Sequence, residues 1–218
     1  MAYDLEEQEQ LDTLKAWWKQ YGNLVTWLLI ICLTAFAGWT YWNNYQSGQA
    51  LQASQLYEEL QKAAQAKDNA KVQRAAGDLI DKFGKTAYAP MAALSAAKSA
   101  FDANDLKAAK ARLQWVVDQS GSDEYKALAG IRLAGIALDE KAYDEGLKLL
   151  AGDFPAEFAG EVADRKGDIY TAQNKMTEAR TAYQTALEKT NEKNPGRQLI
   201  QLKLEAIGGT AAAKVASK

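Results

Sequence analysis

The sequence predicts an all-α chain: one N-terminal transmembrane helix, then a stack of about four helical hairpins closed by a capping helix. Three observations carry the prediction. Only Pro90, Pro155 and Pro195 interrupt a sequence dominated by Ala, Leu, Lys, Glu and Gln, the residues that lose least on entering a helix. A long uncharged apolar run stands near the start. After it, a small residue followed four positions later by a large one returns at a regular interval.

The apolar run comes first. No charged residue occurs from Gln20 to Tyr57. Within that window Leu24 to Trp42 (LVTWLLIICLTAFAGWTYW) rises about 28 Å as a helix, close to the roughly 30 Å of a bilayer's hydrocarbon. Trp17, Trp18 and Tyr21 precede it, and Trp39, Tyr41 and Trp42 close it, the aromatic belts expected at the two headgroup levels. A cleaved signal peptide is the alternative, with Gly48-Gln49-Ala50 as a weak cleavage site. Against it, the lead is acidic and the run exceeds the usual length of about 7–15 residues. Ile31 before Cys32 does not fit a lipoprotein signal.

Lys15 and Lys19 are the basic residues nearest the N-terminal end of the run, and Lys62 is the first beyond it. The positive-inside rule therefore places the N-terminus in the cytoplasm and the hairpins in the periplasm. Thr34 and Gly38 form a small-xxx-small pair on which a second membrane helix could pack, although such residues are common in membrane helices anyway. Leu11, Leu14, Trp18 and Tyr21, at spacings of three and four, read as a short amphipathic helix leading into the membrane. The expected organisation is a cytoplasmic segment (1–22), a transmembrane helix (23–43), a periplasmic repeat domain (44–207) and a flexible tail (208–218).

Four segments beyond the anchor read alike: Ala70 to Leu79, Asn104 to Leu113, Lys141 to Leu150 and Asn174 to Tyr183. Each opens on a polar turn and continues as a helix with a small–large pair: Ala75 with Leu79, Ala109 with Leu113, Gly146 with Leu150, and Ala179 with Tyr183. The small residues lie 34, 37 and 33 positions apart. A period of about 34 residues is that of the tetratricopeptide repeat, in which the small residue lets two helices touch. A first helix precedes each: Gly48 to Ala66, Tyr88 to Ala103, Asp123 to Glu140 and Pro155 to Gln173. A helix from Pro195 to Ile207 would cap the stack, whose end needs a solvated face.

Composition limits the function. With 26 basic and 28 acidic residues the net charge is −2, and the imbalance lies in the acidic lead. The remainder is near neutral, without the clustered Lys and Arg that nucleic acid requires. There is no histidine, which removes the commonest general base and every imidazole metal ligand. Cys32 is alone, so neither an intrachain disulfide nor a thiolate cluster can form. No phosphate loop occurs. The expectation is no enzyme, no metal, no cofactor and no nucleic acid; the nonprotein contact is membrane lipid. Asp164, Arg165 and Asp168 read as solvated ion pairs at helical spacing, and a histidine-free carboxylate site is the remote enzymatic alternative. Lys98, Arg132 and Arg165 fall on the inner helices, where they could clamp an acidic partner or sit on an ordinary solvated face.

Several runs in order carry a family resemblance: Gly38-Trp39-Thr40-Tyr41-Trp42, Thr86-Ala87-Tyr88-Ala89 with Ala93-Leu94, Arg132-Leu133-Ala134, and Val162 to Asp168 (VADRKGD). With the anchor and repeats they make the chain similar to the ancillary subunits of the SecYEG translocon, the YfgM type, over nearly its whole length. The resemblance implies an inner-membrane protein with a periplasmic repeat domain beside the export channel. There it would work with the periplasmic chaperone PpiD and emerging secreted polypeptides, and it brings no catalytic residues. A scaffold for cell-envelope assembly or division is the other function the repeats allow.

Overall fold

The computed structural model describes residues 2–209. They form α1 (Ala2–Gln65), α2 (Asn69–Phe83), α3 (Tyr88–Asp102), α4 (Leu106–Gln119), α5 (Asp123–Asp139), α6 (Tyr143–Leu149), α7 (Ala159–Ala172), α8 (Met176–Lys189) and α9 (Gly196–Ala206). A 3-10 turn at Ala156–Phe158 precedes α7, and no strand occurs among the described residues. Of the tail, residues 210–218 lie outside them. The chain divides into two units, Met1–Leu51 and Gln52–Lys218.

The first unit is helical throughout its described length. No side chain in its most apolar window is covered by protein, and that window qualifies by length and composition as a membrane span. Trp27 (60% exposed) and Phe36 (64%) show how fully the apolar surface lies open. The threonine hydroxyls turn inward: Thr26 donates to the Gly22 carbonyl at 2.7 Å, and Thr34 to those of Ile30 and Ile31 at 2.8 and 3.0 Å. A helix in hydrocarbon must satisfy its polar groups internally, and these bonds do so. The space above Gly38 is open. At the two ends Trp17 packs against Trp18 and Tyr21, and Trp42 against Tyr45.

In the second unit, residues 52–65 of α1 supply the first hairpin helix. A separate helix starting at Gly48 was expected, but no boundary forms there. No proline, turn sequence or positive φ interrupts the chain before Lys67. Every hairpin then turns the same way. Lys67, Asn104, Lys141 and Asn174 are the non-glycine residues with positive φ (55°, 60°, 61° and 59°) among those described. In each turn this left-handed residue donates to the carbonyl three back, and its successor to the carbonyl five back: Lys67 to Ala64 and Asp68 to Ala63, for instance, and Asn104 to Phe101 and Asp105 to Ala100. This paired Schellman closure satisfies the last carbonyls of one helix. Its final residue then starts the next helix. Asp68 and Asp105 accept with their carboxylates from the Lys71 and Ala108 amides, as helix N-caps.

These turns fix the repeat register at 37, 37 and 33 residues, and they correct the first hairpin. Counted from its turn, the residue equivalent to Ala109, Gly146 and Ala179 is Val72, and that equivalent to Leu113, Leu150 and Tyr183 is Ala76. Val72 and Ala76 are fully buried, whereas Ala75 is half-buried beside them; Leu79 is buried one turn further on. The first hairpin therefore reverses the order of large and small, with the bulk supplied by Leu60 from α1. Pro155 differs as well. It precedes the 3-10 turn, and α7 starts only at Ala159.

The core is a chain of local clusters, one where each hairpin meets the next. Leu60, Val72 and Leu79 centre the first, Leu113 and Val116 the second, Ile131, Leu150 and Ile169 the third, and Tyr183, Ile200 and Leu204 the last. Such a stack is stabilised by neighbours rather than by one common centre.

Candidate functional site

Because second helices pack on both neighbours, the first helices α3, α5 and α7 turn their remaining faces to one side. There they line a groove of about 510 Å³. Its floor is apolar: Ala97 and Phe101 from α3, Leu113 from α4 and Ile136 from α5. The three cations anticipated from the sequence, Lys98, Arg132 and Arg165, all open into it. Asp102 and Asp139 complete the lining.

The cations are not equivalent. Lys98 pairs with Asp102 at 2.6 Å, one turn along the same helix. Arg165, half-buried, lies against Gly135 with its guanidinium carbon 3.5 Å from where a Cβ would stand. It donates from one terminal nitrogen to Asp168 at 3.3 Å, while its buried Nε has no hydrogen-bond partner. Arg132 is exposed, and no ion pair or hydrogen bond from the described residues engages its guanidinium. Neighbouring protein lowers its pKa by desolvation, partly offset by Glu161 at a distance. A guanidinium nevertheless stays charged. The groove thus combines an apolar floor with two paired cations and one exposed guanidinium, that of Arg132, an arrangement suited to holding a peptide.

Over residues 15–209 the sequence matches the tetratricopeptide repeat-like domain family. An ancillary SecYEG translocon subunit of Neisseria gonorrhoeae is 34% identical over 208 residues, spanning 95% of this chain and 100% of the relative. The chain belongs to the family of ancillary SecYEG translocon subunits. Relatives with that description in Haemophilus influenzae and Escherichia coli are 29% and 27% identical, covering 95% and 92% of this chain and 100% and 96% of their own.

The carboxylates read from the sequence as solvated pairs have a different role in this family member. Lys203 of α9 reaches back to Asp164 (both oxygens at 2.9 Å) and to Asp168 (2.8 and 3.1 Å). The Tyr183 hydroxyl donates to Asp168 at 2.8 Å, and the Lys203 ammonium stands 5.8 Å from the Tyr183 ring centre. Burial raises the pKa of Asp164, with Lys203 opposing the shift. Burial likewise pushes the Tyr183 phenol well above its usual range, so it remains a donor. Arg180 donates twice to the Ile207 carbonyl (3.0 and 2.8 Å), and Arg197 binds the Leu187 and Thr190 carbonyls. Together these contacts fasten α9 to α7 and α8.

Sequence reading missed Lys203 and Arg180 because their partners lie 39, 35 and 27 positions away. No helical spacing signals a contact at that range. The packing pairs, by contrast, are where the turns put them: Ala109, Gly146 and Ala179 are buried at helix crossings, with Leu113, Leu150 and Tyr183 beside them.

Proposed function

We propose that the chain is a non-enzymatic, single-pass adaptor of the Sec export channel in the bacterial inner membrane. Its repeats would stand in the periplasm, between the SecYEG channel, the chaperone PpiD and emerging secreted polypeptides. One observation carries this reading: relatives described as ancillary SecYEG translocon subunits align with 95% of this chain, a span that takes in both its uncovered apolar helix and its repeat domain. The absence of histidine supports a role in binding rather than catalysis. So does the binding of Asp164 and Asp168 by Lys203, Arg165 and Tyr183, which leaves no free carboxylate pair in that cluster.

Affinity capture of the full chain from membranes solubilised in mild detergent tests the adaptor reading. Channel subunits and PpiD are expected in the eluate. Recovery of division or envelope-assembly proteins without the channel would overturn it in favour of a scaffold. Orientation is tested by protease protection in spheroplasts. The repeats should be digested in wild type, and replacing Lys15 and Lys19 by Glu should produce a protected fraction, because they are the topogenic charges beside the helix.

A further inference from the structure

One face of α1 carries an apolar seam that starts before the membrane span. Between Glu9 and Gly22 the large apolar residues are Leu11, Leu14, Trp17, Trp18 and Tyr21, and four of the five recur at alternating steps of three and four. These four, Leu11, Leu14, Trp18 and Tyr21, are each 42% exposed or more. The same steps continue inside the span through Val25, Leu28, Cys32 and Ala35 to Trp39 and Trp42, more than four heptads in all. They end where the chain is polar: the next two positions are Gln46 and Gln49, and the two before Leu11 are Asp4 and Glu7. An apolar repeat held over three or four heptads is the seam of a coiled coil. Lipid can cover the stretch inside the bilayer, but not the lead. Helix α1 runs unbroken through Gly22 and Asn23, so the lead continues the axis of the span instead of folding onto the headgroups. Its stripe therefore reaches about 20 Å beyond Leu24, into water.

We propose that a second copy of this chain covers the seam, so that the protein is a parallel dimer joined along residues 11–42. This rests on the single-pass reading above. A covering helix has to cross the same boundary between water and lipid, at the same level, with an apolar stripe on both sides of it. A second copy inserted in the same direction does so residue by residue. Charge agrees with this pairing. In a parallel pair the positions flanking the seam meet across it, Gln10 with Lys15 of the second copy and Trp17 with its Gly22, so no like charges are opposed. Glu9, Asp12 and Lys19 take outer positions of the repeat. The area suffices too. Trp18, Tyr21, Trp39 and Trp42 alone would bury roughly 900 Å² between two copies, and the other six positions bring the pair to the about 1,200–2,000 Å² of a stable interface. Inside the bilayer burial itself contributes little, because lipid is as apolar as the partner, so the lead supplies the drive by leaving water. Thr34 lies at an outer position, so a dimer packed on Thr34 and Gly38 would be a different one, and the test separates the two.

Cys32 lies in the seam and is the chain's one cysteine, so the wild type carries its own probe. In membranes oxidised with copper phenanthroline it should form a disulfide dimer, and two differently tagged copies should both appear in that band. In a Cys32→Ser background, Leu28→Cys and Ala35→Cys should crosslink roughly fivefold or more above Ile30→Cys, Thr34→Cys and Ala37→Cys, the contrast between inward and outward positions of a heptad. Leu11→Glu with Leu14→Glu, which sets like charges against each other in water, should lower the Cys32 band about tenfold or more. Both leucines are exposed, and acids weigh little in membrane orientation, so fold and topology stay as they are. Equal crosslinking at all positions, a peak at Thr34→Cys, or a Cys32 disulfide to a different protein overturns the proposal. If the chain stays in the membrane pellet through alkaline carbonate and no seam position crosslinks, only the dimer falls. If carbonate releases it, the single-pass reading falls as well.

Discussion

Replacing Gly167 by alanine is expected to destabilise the repeat domain, against the helix propensity of the two residues. Gly167 lies within α7, where alanine alone would contribute about 1 kcal/mol of stability. A Cβ there would meet the Tyr183 ring at 2.4 Å (Cε1) and 2.5 Å (Cδ1), roughly an ångström inside ordinary contact. The ring has nowhere to go. It is 2% exposed, its hydroxyl is held by Asp168 at 2.8 Å, and Lys203 stands over its face. Shifting it by an ångström overpacks the α7–α8 crossing, at about 1–3 kcal/mol, and breaks a hydrogen bond worth about 1 kcal/mol more. The net expectation is a loss of about 1–3 kcal/mol, or roughly 2–10 °C in Tm for a chain of this size. Gly77→Ala in α2 is the control, because its nearest neighbour would be the Arg112 guanidinium at 3.8 Å. That variant should gain about 0.5–1 kcal/mol. Thermal melts by circular dichroism in detergent measure both, and Gly167→Ala combined with Tyr183→Leu should recover most of the loss. A Gly167→Ala protein melting at or above wild type would refute the reasoning.

Ala109→Leu and Ala179→Leu should each cost about 1–3 kcal/mol by overpacking fully buried helix crossings, read as lower melting temperatures. Lys141→Gly should stabilise by about 1 kcal/mol, because lysine is strained at a φ of 61° where glycine is not; denaturant midpoints measure it. Asp164 gives a pH dependence. Its folded pKa is raised above 3.8, so between that value and the raised one the folded chain binds a proton the unfolded chain has lost. Stability should therefore fall as pH rises through that window, and Asp164→Asn should remove the slope in melts taken across it.

Much of this structure was legible in order along the chain. Asn104 and Asn174 announce their turns because asparagine tolerates the left-handed region, whereas Lys67 and Lys141 give no such signal and take it only because the hairpin closes there. The first register was misread because Ala75 and Ala76 are adjacent, and composition does not distinguish a half-buried alanine from a buried one. The signal that would have decided it is Asp68, an N-cap residue four positions before Val72. Lys98, Arg132 and Arg165 could be placed on inner helices by spacing, but not known to share one groove.

The sequence by itself determined what depends on neighbours in the chain: an apolar helix of membrane length, helical hairpins at a period near 34 residues, and polar turns between them. Tertiary structure decided what depends on elements brought together from far apart. Lys203 bridges two carboxylates of α7, and Gly135 leaves room for the Arg165 guanidinium. Backbone hydrogen bonds and side-chain periodicity act within a few residues, so they are written locally. The partners of a charge on one helix depend on how the stack places the next, and no local pattern encodes that.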